Sequence, residues 1–140
     1  MTPRPDRRVA AAIALGLAMG LAQAAPRTPQ EVVRAYADAA NRHDVDGVLA
    51  LYAADVHKYR FPATLSSEGR ESNREKYVRN FAENPDLRVQ ILDMTVLADK
   101  VVSHDLVTGL ASGKTSEEIV VYQVDGEHVS NIVYVERQLR

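Results

Sequence analysis

Apolar residues recur at helical spacing in the first half of the chain. One apolar stripe consists of Val32, Val33, Tyr36, Ala39 and Ala40. The segment Thr28-Pro29-Gln30-Glu31 precedes this stripe, and its residue types predict a capping box with proline at the first helical position. We therefore expect a helix that begins at about Thr28, ends near Arg42 and buries Tyr36.

Two more helices are predicted before residue 86. Asp44 can cap a short second helix, whose apolar residues are Val48, Leu49 and Tyr52. The segment Ser72–Glu75 has the residue types of a second capping box, which predicts the start of a third helix. The apolar residues of this third helix are Tyr77, Val78 and Phe81. Asn84-Pro85 ends it, because a residue before proline disfavours the helical conformation.

From Leu87 onward the apolar pattern shortens to every second residue, as in strands. The predicted strands are Leu87–Leu97, Val101–Thr108, Thr115–Val124 and Glu127–Glu136, with a short extended segment at Val56–Phe61. Asp125-Gly126 is the strongest hairpin signal in the chain. Helices followed by an antiparallel meander predict an α+β fold, in which three helices pack on one curved antiparallel sheet and enclose a cone-shaped pocket.

The beginning of the chain has the pattern of a secretory signal. Arg4, Arg7 and Arg8 precede the uncharged run Val9–Ala22, and Ala22-Gln23-Ala24 matches the small-x-small cleavage pattern. We predict a signal peptide at residues 1–24 and a mature domain at residues 25–140, which would be periplasmic or secreted. The apolar run is shorter than the roughly 20 residues of a membrane span, so no stable membrane insertion is expected after cleavage.

Composition excludes several kinds of function. The net charge of −2 gives no basis for a nucleic-acid-binding face, so no nucleic-acid partner is expected. The chain has no cysteine, which excludes disulfides, cysteine metal sites and a thiol nucleophile. The 4 histidines are not spaced as metal ligands, and the sequence has no phosphate-binding or dinucleotide-binding motif. We therefore expect no metal and no cofactor.

The segment VVRAYADAANRHDVDGVLALYAADV, Val32–Val56, resembles the opening of the NTF2-like superfamily, which includes ketosteroid isomerases and SnoaL-like polyketide cyclases. The resemblance continues through Asn84–Val89, the Gly113-Lys114 hairpin and the strand that ends Val121–Val124. It implies a cone-shaped α+β barrel with a largely apolar pocket between helices and sheet. It also implies a homodimer, because members of this superfamily are usually dimeric.

The resemblance does not extend to a complete ketosteroid isomerase site. Those enzymes hold an oxyanion with a helix tyrosine and a protonated acid, and a carboxylate moves the proton. Tyr36 matches the tyrosine. The base would fall at Arg60 or, with a shift of one residue, at Phe61, and the second acid would fall at Val120. These three side chains do not have the chemistry required.

Other polar residues could supply the pocket chemistry. The family alignment places Glu118, Val120 and Tyr122 on one inner face, so Glu118 either lies near the pocket mouth with a raised pKa or is a surface charge beside Glu117. His104 and Asp105 are neighbours on a strand and must point to opposite faces. The alignment places Asp105 inward, whereas the local alternation of Val102, Leu106 and Thr108 favours His104.

The candidate residues fall into two sets. The predicted catalytic residues are Tyr36, Asp105 and Glu118. The predicted ligand-binding residues are Tyr36, Arg60, Phe61, Val107, Val120, Ile132, Tyr134 and Glu136. Arg60 is either a pocket guanidinium that binds a carboxylate or a solvated residue at the strand edge.

Two functions remain open from the sequence. The first is an exported pocket protein that binds a small apolar or carbonyl-containing metabolite. The alternative is a cofactor-independent isomerase, cyclase or hydrolase that uses Tyr36 and a pocket carboxylate.

Overall fold

The computed structural model describes residues 23–140. The helices are α1 (Pro29–Asn41), α2 (Val45–Ala50) and α3 (Arg70–Glu83). The strands are β1 (Tyr52–Arg60), β2 (Thr64–Glu68), β3 (Arg88–Leu97), β4 (Lys100–Thr108), β5 (Ser116–Asp125) and β6 (His128–Leu139). Nearly all of the predicted signal peptide, residues 1–22, lies outside the described residues.

The first two helices begin where the sequence predicts. The Thr28 hydroxyl accepts a hydrogen bond from the Glu31 amide at 3.3 Å, and the Glu31 carboxylate accepts one from the Thr28 amide at 2.7 Å. This pair is the predicted capping box. Asp44 caps α2 by accepting from the Gly47 amide at 2.8 Å. Both caps occupy amides that have no partner within the helix.

The predicted capping box at Ser72–Glu75 is wrong, because α3 begins at Arg70, after an N-cap glycine without a side-chain cap. The fully buried Asn73 fixes this helix start instead. Its amide donates to the Gly69 carbonyl at 2.7 Å, and its oxygen accepts from the Ser67 hydroxyl at 3.1 Å. These bonds tie the first turn to the end of β2, so the helix starts directly after that strand.

The six strands form one sheet in the order β2-β1-β6-β5-β4-β3. The meander from β3 to β6 is antiparallel, as predicted. The pairing of β1 with β6 is parallel, so the sheet is mixed rather than antiparallel throughout. Tyr52, predicted on the second helix, is the first residue of β1, and β2 was not predicted because TLSSE lacks an apolar alternation. Three helices on this sheet make the expected α+β fold.

The helices cover one face of the sheet, and the core lies between the helices and that face. Strand alternation turns Val101, Ser103, Asp105 and Val107 of β4 toward this inner face. Asn41 at the end of α1 anchors the helix on the edge strand, because its side chain donates to the Val89 carbonyl at 2.9 Å and accepts from the Val89 amide at 2.6 Å. Within residues 23–140, the helices are too short or too polar to cross a membrane.

Candidate functional site

A cavity of about 340 Å³ lies between the helices and the inner face of the sheet. Five of the predicted site residues line it: Tyr36, Asp105, Val107, Glu118 and Tyr134. Lys58, Tyr77 and Arg137 line it as well, although the sequence analysis did not select them. Apolar walls come from α3, β3 and the loop after β4, through Phe81, Val89 and Leu110. The cavity therefore combines an apolar lining with a small number of polar groups, as ligand sites usually do.

Three tyrosines and one lysine form a hydrogen-bonded group that we call the tyrosine–lysine cluster: Tyr36, Tyr52, Tyr77 and Lys58. The Tyr77 hydroxyl is its centre. It lies 2.8 Å from the Tyr36 hydroxyl, 2.5 Å from the Tyr52 hydroxyl and 3.0 Å from the Lys58 amine. Each member comes from a different part of the fold, α1, the start of β1, α3 and the middle of β1, so the cluster forms only in the folded chain.

The number of hydrogen bonds that the Tyr77 hydroxyl can donate and accept limits how the protons of the cluster can be arranged. A tyrosine hydroxyl donates one hydrogen bond and accepts two. When Lys58 donates to Tyr77, one of the other two tyrosines must donate to Tyr77 and the other must accept from it. The tyrosine that accepts keeps its own proton free for another acceptor. Tyr36 lines the cavity whereas Tyr52 is fully buried, so the arrangement with Tyr36 as acceptor leaves a donor for the cavity.

Burial keeps these phenols neutral. Removal from water raises the pKa of Tyr36, Tyr52 and Tyr77 well above the ordinary tyrosine value, and the neighbouring tyrosines add to the rise. The three hydroxyls therefore retain their protons near neutral pH. They can donate hydrogen bonds to a ligand oxygen, but they are poor bases.

Asp105 and Glu118 face each other across β4 and β5, on the inner face of the sheet. Asp105 accepts a hydrogen bond from Ser103. Burial raises its pKa to about 6, the Ser103 bond opposes the rise, and the nearby Glu118 carboxylate adds to it. Asp105 can therefore exchange a proton near neutral pH.

Glu118 has different partners from Asp105. Its carboxylate accepts from the Ser116 hydroxyl at 2.8 Å and pairs with the Arg137 guanidinium at 2.7 Å. It is buried at the cavity wall rather than being a surface charge. Because Arg137 pairs with Glu118, Asp105 is the cavity acid without a salt-bridge partner among the described residues.

The structure also shows which of His104 and Asp105 faces the cavity. His104 lies on the outer face of β4 and bonds to Glu117 at 2.8 Å, whereas Asp105 is buried and lines the cavity. The family alignment placed these two residues correctly. Local alternation was misleading because Val102 and Leu106 are apolar residues on the outer face of the sheet.

The remaining predicted ligand-binding residues lie outside the cavity. Arg60, Phe61 and Glu136 line a neighbouring groove of about 480 Å³. This groove shares Lys58, Lys76, Tyr134 and Arg137 with the cavity wall. Arg60 is exposed, as in the solvated alternative of the sequence analysis. Val120 and Ile132 point inward but are packed in the core, outside the lining of both spaces.

Two signals in the sequence could have identified the missed cluster residues. Lys58 is two positions after the buried Val56, so strand alternation places it on the inner face. Tyr77 lies on the buried stripe of α3, where its hydroxyl must find a partner. The position of Tyr52 could not be inferred in this way, because the sequence placed it on a helix. Within the described residues, no cluster of His, Asp and Glu side chains is arranged to hold a metal ion.

Comparison with known protein families identifies the family of this chain. The profile of the SnoaL-like polyketide cyclase family matches residues 30–134, three quarters of the chain. The chain belongs to the SnoaL-like polyketide cyclase family. No curated protein matches it significantly in sequence.

Solved structures share the fold of this SnoaL-like chain at low sequence identity. An uncharacterized cystatin-fold protein from Novosphingobium aromaticivorans has a TM-score of 0.72 and 22% identity, over 79% of this chain and 99% of that one. A Catenulispora acidiphila protein with a ketosteroid isomerase-like fold, solved with trimethylamine, has a TM-score of 0.67 and 20% identity, over 78% of this chain and 87% of that one.

A SnoaL-like protein from Burkholderia thailandensis has a TM-score of 0.63 and 20% identity, over 83% of this chain and 99% of that one. All three identities are too low to assign an activity, so these proteins support the fold alone.

Proposed function

We propose that this protein binds a small molecule with an apolar body and a carbonyl oxygen in the cavity beneath α1. The observation that supports the proposal is the tyrosine–lysine cluster, which provides a hydroxyl donor at Tyr36 beside apolar walls. A carbonyl oxygen accepts such a proton without bringing a charge into the cavity. The volume of about 340 Å³ lies at the small end of ligand pockets, which suits a small metabolite.

The direct test is native mass spectrometry of the protein purified from its own host. We expect a bound small molecule that carries an aldehyde or ketone. The variant Leu110→Trp, which fills the cavity from its loop side, should lose this ligand. Leu92→Trp is the matched control, because Leu92 is 45% exposed and does not line the cavity. A ligand without a carbonyl, or equal loss from both variants, would contradict the proposal.

A second candidate function is supported by Asp105. Its pKa of about 6 and its place on the cavity wall suit a group that takes a proton from carbon next to a carbonyl while Tyr36 donates to the oxygen. This is the isomerase or cyclase alternative. The ionised form of Asp105 is the base, so the rate should rise with pH through about 6 and then level.

Asp105→Asn separates binding from catalysis. If the protein is an enzyme of this type, the variant should bind ligand yet lose about 10²- to 10⁴-fold in rate. The measurement is single-turnover kinetics over a pH series with the ligand identified above. Equal rates and equal pH profiles in wild type and variant would leave binding as the function.

We also propose that the domain is exported, on the basis of the signal pattern in residues 1–24. The intact mass of protein recovered from the cell envelope should correspond to a chain that begins at Ala25. Recovery of a chain that retains Val9–Ala22 would contradict cleavage.

A further inference from the structure

Lys58 lies inside the protein although lysine is rarely buried. It is on β1, where alternation turns Val56 and Lys58 inward and His57 and Tyr59 outward. Its exposed fraction is 9%. A buried lysine needs a specific reason, because moving an ammonium group out of water is costly.

No carboxylate compensates the charge of Lys58 in the described part of the chain. The amine donates to the Tyr77 hydroxyl at 3.0 Å and lies over the rings of Tyr77, Tyr52 and Tyr134, at 4.6, 5.5 and 5.9 Å from their centres. The nearby acid Glu118 is paired with Arg137 instead. Phenol and ring contacts are weaker partners for an ammonium than a carboxylate.

These surroundings favour the neutral amine. Burial lowers the pKa of Lys58 to about 7, the positive charges of Lys76 and Arg137 lower it as well, and Glu118 opposes the change. A large share of Lys58 therefore carries a free electron pair at neutral pH. Lysines in such environments serve as nucleophiles toward carbonyl groups.

Lys58 is also accessible to a ligand. Its side chain lines the cavity together with Tyr36 and Asp105, and it lines the neighbouring groove on its other side. A carbonyl compound held in the cavity would therefore meet an amine, a phenol donor and a carboxyl group. The amine is the nucleophile of imine formation, and the phenol and carboxyl groups can carry the proton transfers that assist it.

We propose that the amine of Lys58 forms an imine with the carbonyl carbon of an aldehyde or ketone held in this cavity. The inference rests on the proposed function, since it concerns the same cavity and a carbonyl-containing ligand. It extends that function from reversible binding to covalent capture and predicts ligands with an unhindered carbonyl.

The step balances without an oxidant or reductant. The nitrogen electron pair forms the C–N bond, and the carbonyl π pair moves to oxygen, which takes a proton from the Tyr36 hydroxyl or from protonated Asp105. The nitrogen then loses its proton, for which the Tyr77 hydroxyl at 3.0 Å is the adjoining relay. A second proton lets the oxygen leave as water while the C=N bond forms, and the nitrogen then loses its second proton by the same relay, which restores the proton lost by the acid. The sum is an amine and a carbonyl converted to an imine and water.

The test is reductive trapping with benzaldehyde and cyanoborohydride at neutral pH on the full chain, followed by peptide mapping. The chain has 4 lysines, Lys58, Lys76, Lys100 and Lys114, so each adduct can be assigned. We expect at least about tenfold more adduct on Lys58 than on any other lysine, because burial lowers the pKa of Lys58 and the cavity holds the aldehyde beside its amine. Comparable labelling of all four, or preferential labelling of Lys76, would overturn the proposal.

Variants check that the signal comes from a folded site. Lys58→Arg keeps the positive charge and Lys58→Met keeps the length of the side chain, and both should lose the dominant adduct. Lys100→Met should keep it, because Lys100 is half-exposed at a turn and pairs with Asp99. Melting curves establish that each variant is folded. A dominant adduct that persists in either Lys58 variant would refute the assignment.

Binding measured without the reductant separates this inference from the proposed function. Saturation-transfer NMR reports whether benzaldehyde binds wild type and whether Leu110→Trp prevents it. Binding that depends on the cavity, together with no adduct on Lys58, would refute the imine and leave the proposed function intact. If benzaldehyde neither binds in the cavity nor labels Lys58, both proposals fail for this ligand class.

Discussion

At the residue scale, Lys58 is the clearest case of a side chain that costs stability where it is placed. Because its pKa is lowered to about 7, the folded state binds fewer protons than the unfolded state between that value and the ordinary lysine value. The cost in stability is therefore absent above the ordinary lysine pKa of 10.5, grows as the pH falls below it, and is complete below about 7. The cluster that holds the amine is maintained at this cost.

The variant Lys58→Met should be more stable than wild type near neutral pH, because it buries a methionine instead of an ammonium. Its advantage in free energy of unfolding should be a few kcal/mol at about pH 6.5 and should shrink toward pH 10. Urea unfolding over a pH series measures it. Lys100→Met, which removes a lysine from an exposed site, is the control and should lack this stabilisation at about pH 6.5.

An advantage of Lys58→Met that is constant with pH would show that Lys58 keeps its ordinary pKa. It would also remove the electrostatic support for its reactivity.

Some of the site could be predicted residue by residue and some could not. Tyr36 was predicted to face inward because of helix periodicity, whereas Glu118 was placed on an inner face by the family alignment, with a surface charge as the alternative. The choice of Asp105 over His104 required the family alignment, since both sheet faces carry apolar residues. The partners of Tyr36 could not be predicted, because Tyr52 and Tyr77 reach its hydroxyl only through the tertiary packing of three elements.

At the element scale, most boundaries agree with the sequence because they depend on local chemistry. The Thr28 and Asp44 caps and the Asp125-Gly126 turn are local signals. The caps begin α1 and α2, and the turn joins β5 to β6, as the sequence predicts. The predicted boundaries are wrong where long-range contacts set the start or the length of an element. The start of α3 is fixed by contacts of Asn73 with β2, and β1 is longer than predicted because β6 pairs along it in parallel.

The turn after β4 gives a prediction at this scale. Gly109 has φ of 70°, and a Cβ there would lie 1.9 Å from the Asp86 carbonyl oxygen, so this turn packs directly against the connection between α3 and β3. Gly109→Ala should therefore cost several kcal/mol of stability, since it adds a backbone clash to the left-handed strain. The measurement is thermal or urea unfolding.

Gly113→Ala is the matched control. Gly113 has a similar φ of 75° with nothing near its Cβ position, so it should cost only about 1 kcal/mol. Equal losses at the two positions would show that the close approach to Asp86 is absent.

At the scale of the whole molecule, the outer face of the sheet is left uncovered by the three helices. An apolar row crosses it through Val102, Val121 and Val133, which are direct partners on β4, β5 and β6. Val102 is 39% exposed. An apolar row of this kind on an open sheet face is typical of a surface that associates.

We predict that a second copy of the chain covers this row. Sedimentation at micromolar concentration should give a homodimer for wild type and a monomer for Val121→Lys, because the charge would be buried without a partner. Gln90→Lys, at an exposed position elsewhere on the outer face, should remain dimeric. A wild-type monomer, or a Val121→Lys dimer of unchanged affinity, would contradict this interface.

The central claim is that a ligand carbonyl accepts a hydrogen bond from Tyr36 in the cavity. The most direct measurement is the isotope-edited infrared spectrum of a ¹³C-carbonyl amide, which cannot form an imine with Lys58, bound to wild type and to Tyr36→Phe. Tyr59→Phe is the control, because Tyr59 lies on the outer side of β1. We predict a carbonyl stretch at lower frequency in wild type and the control than in Tyr36→Phe, with affinity weakened by about 0.5 to 1.5 kcal/mol in that variant. The same frequency in all three proteins would contradict the account, because the Tyr36 hydroxyl would then serve only Tyr77 and not a ligand.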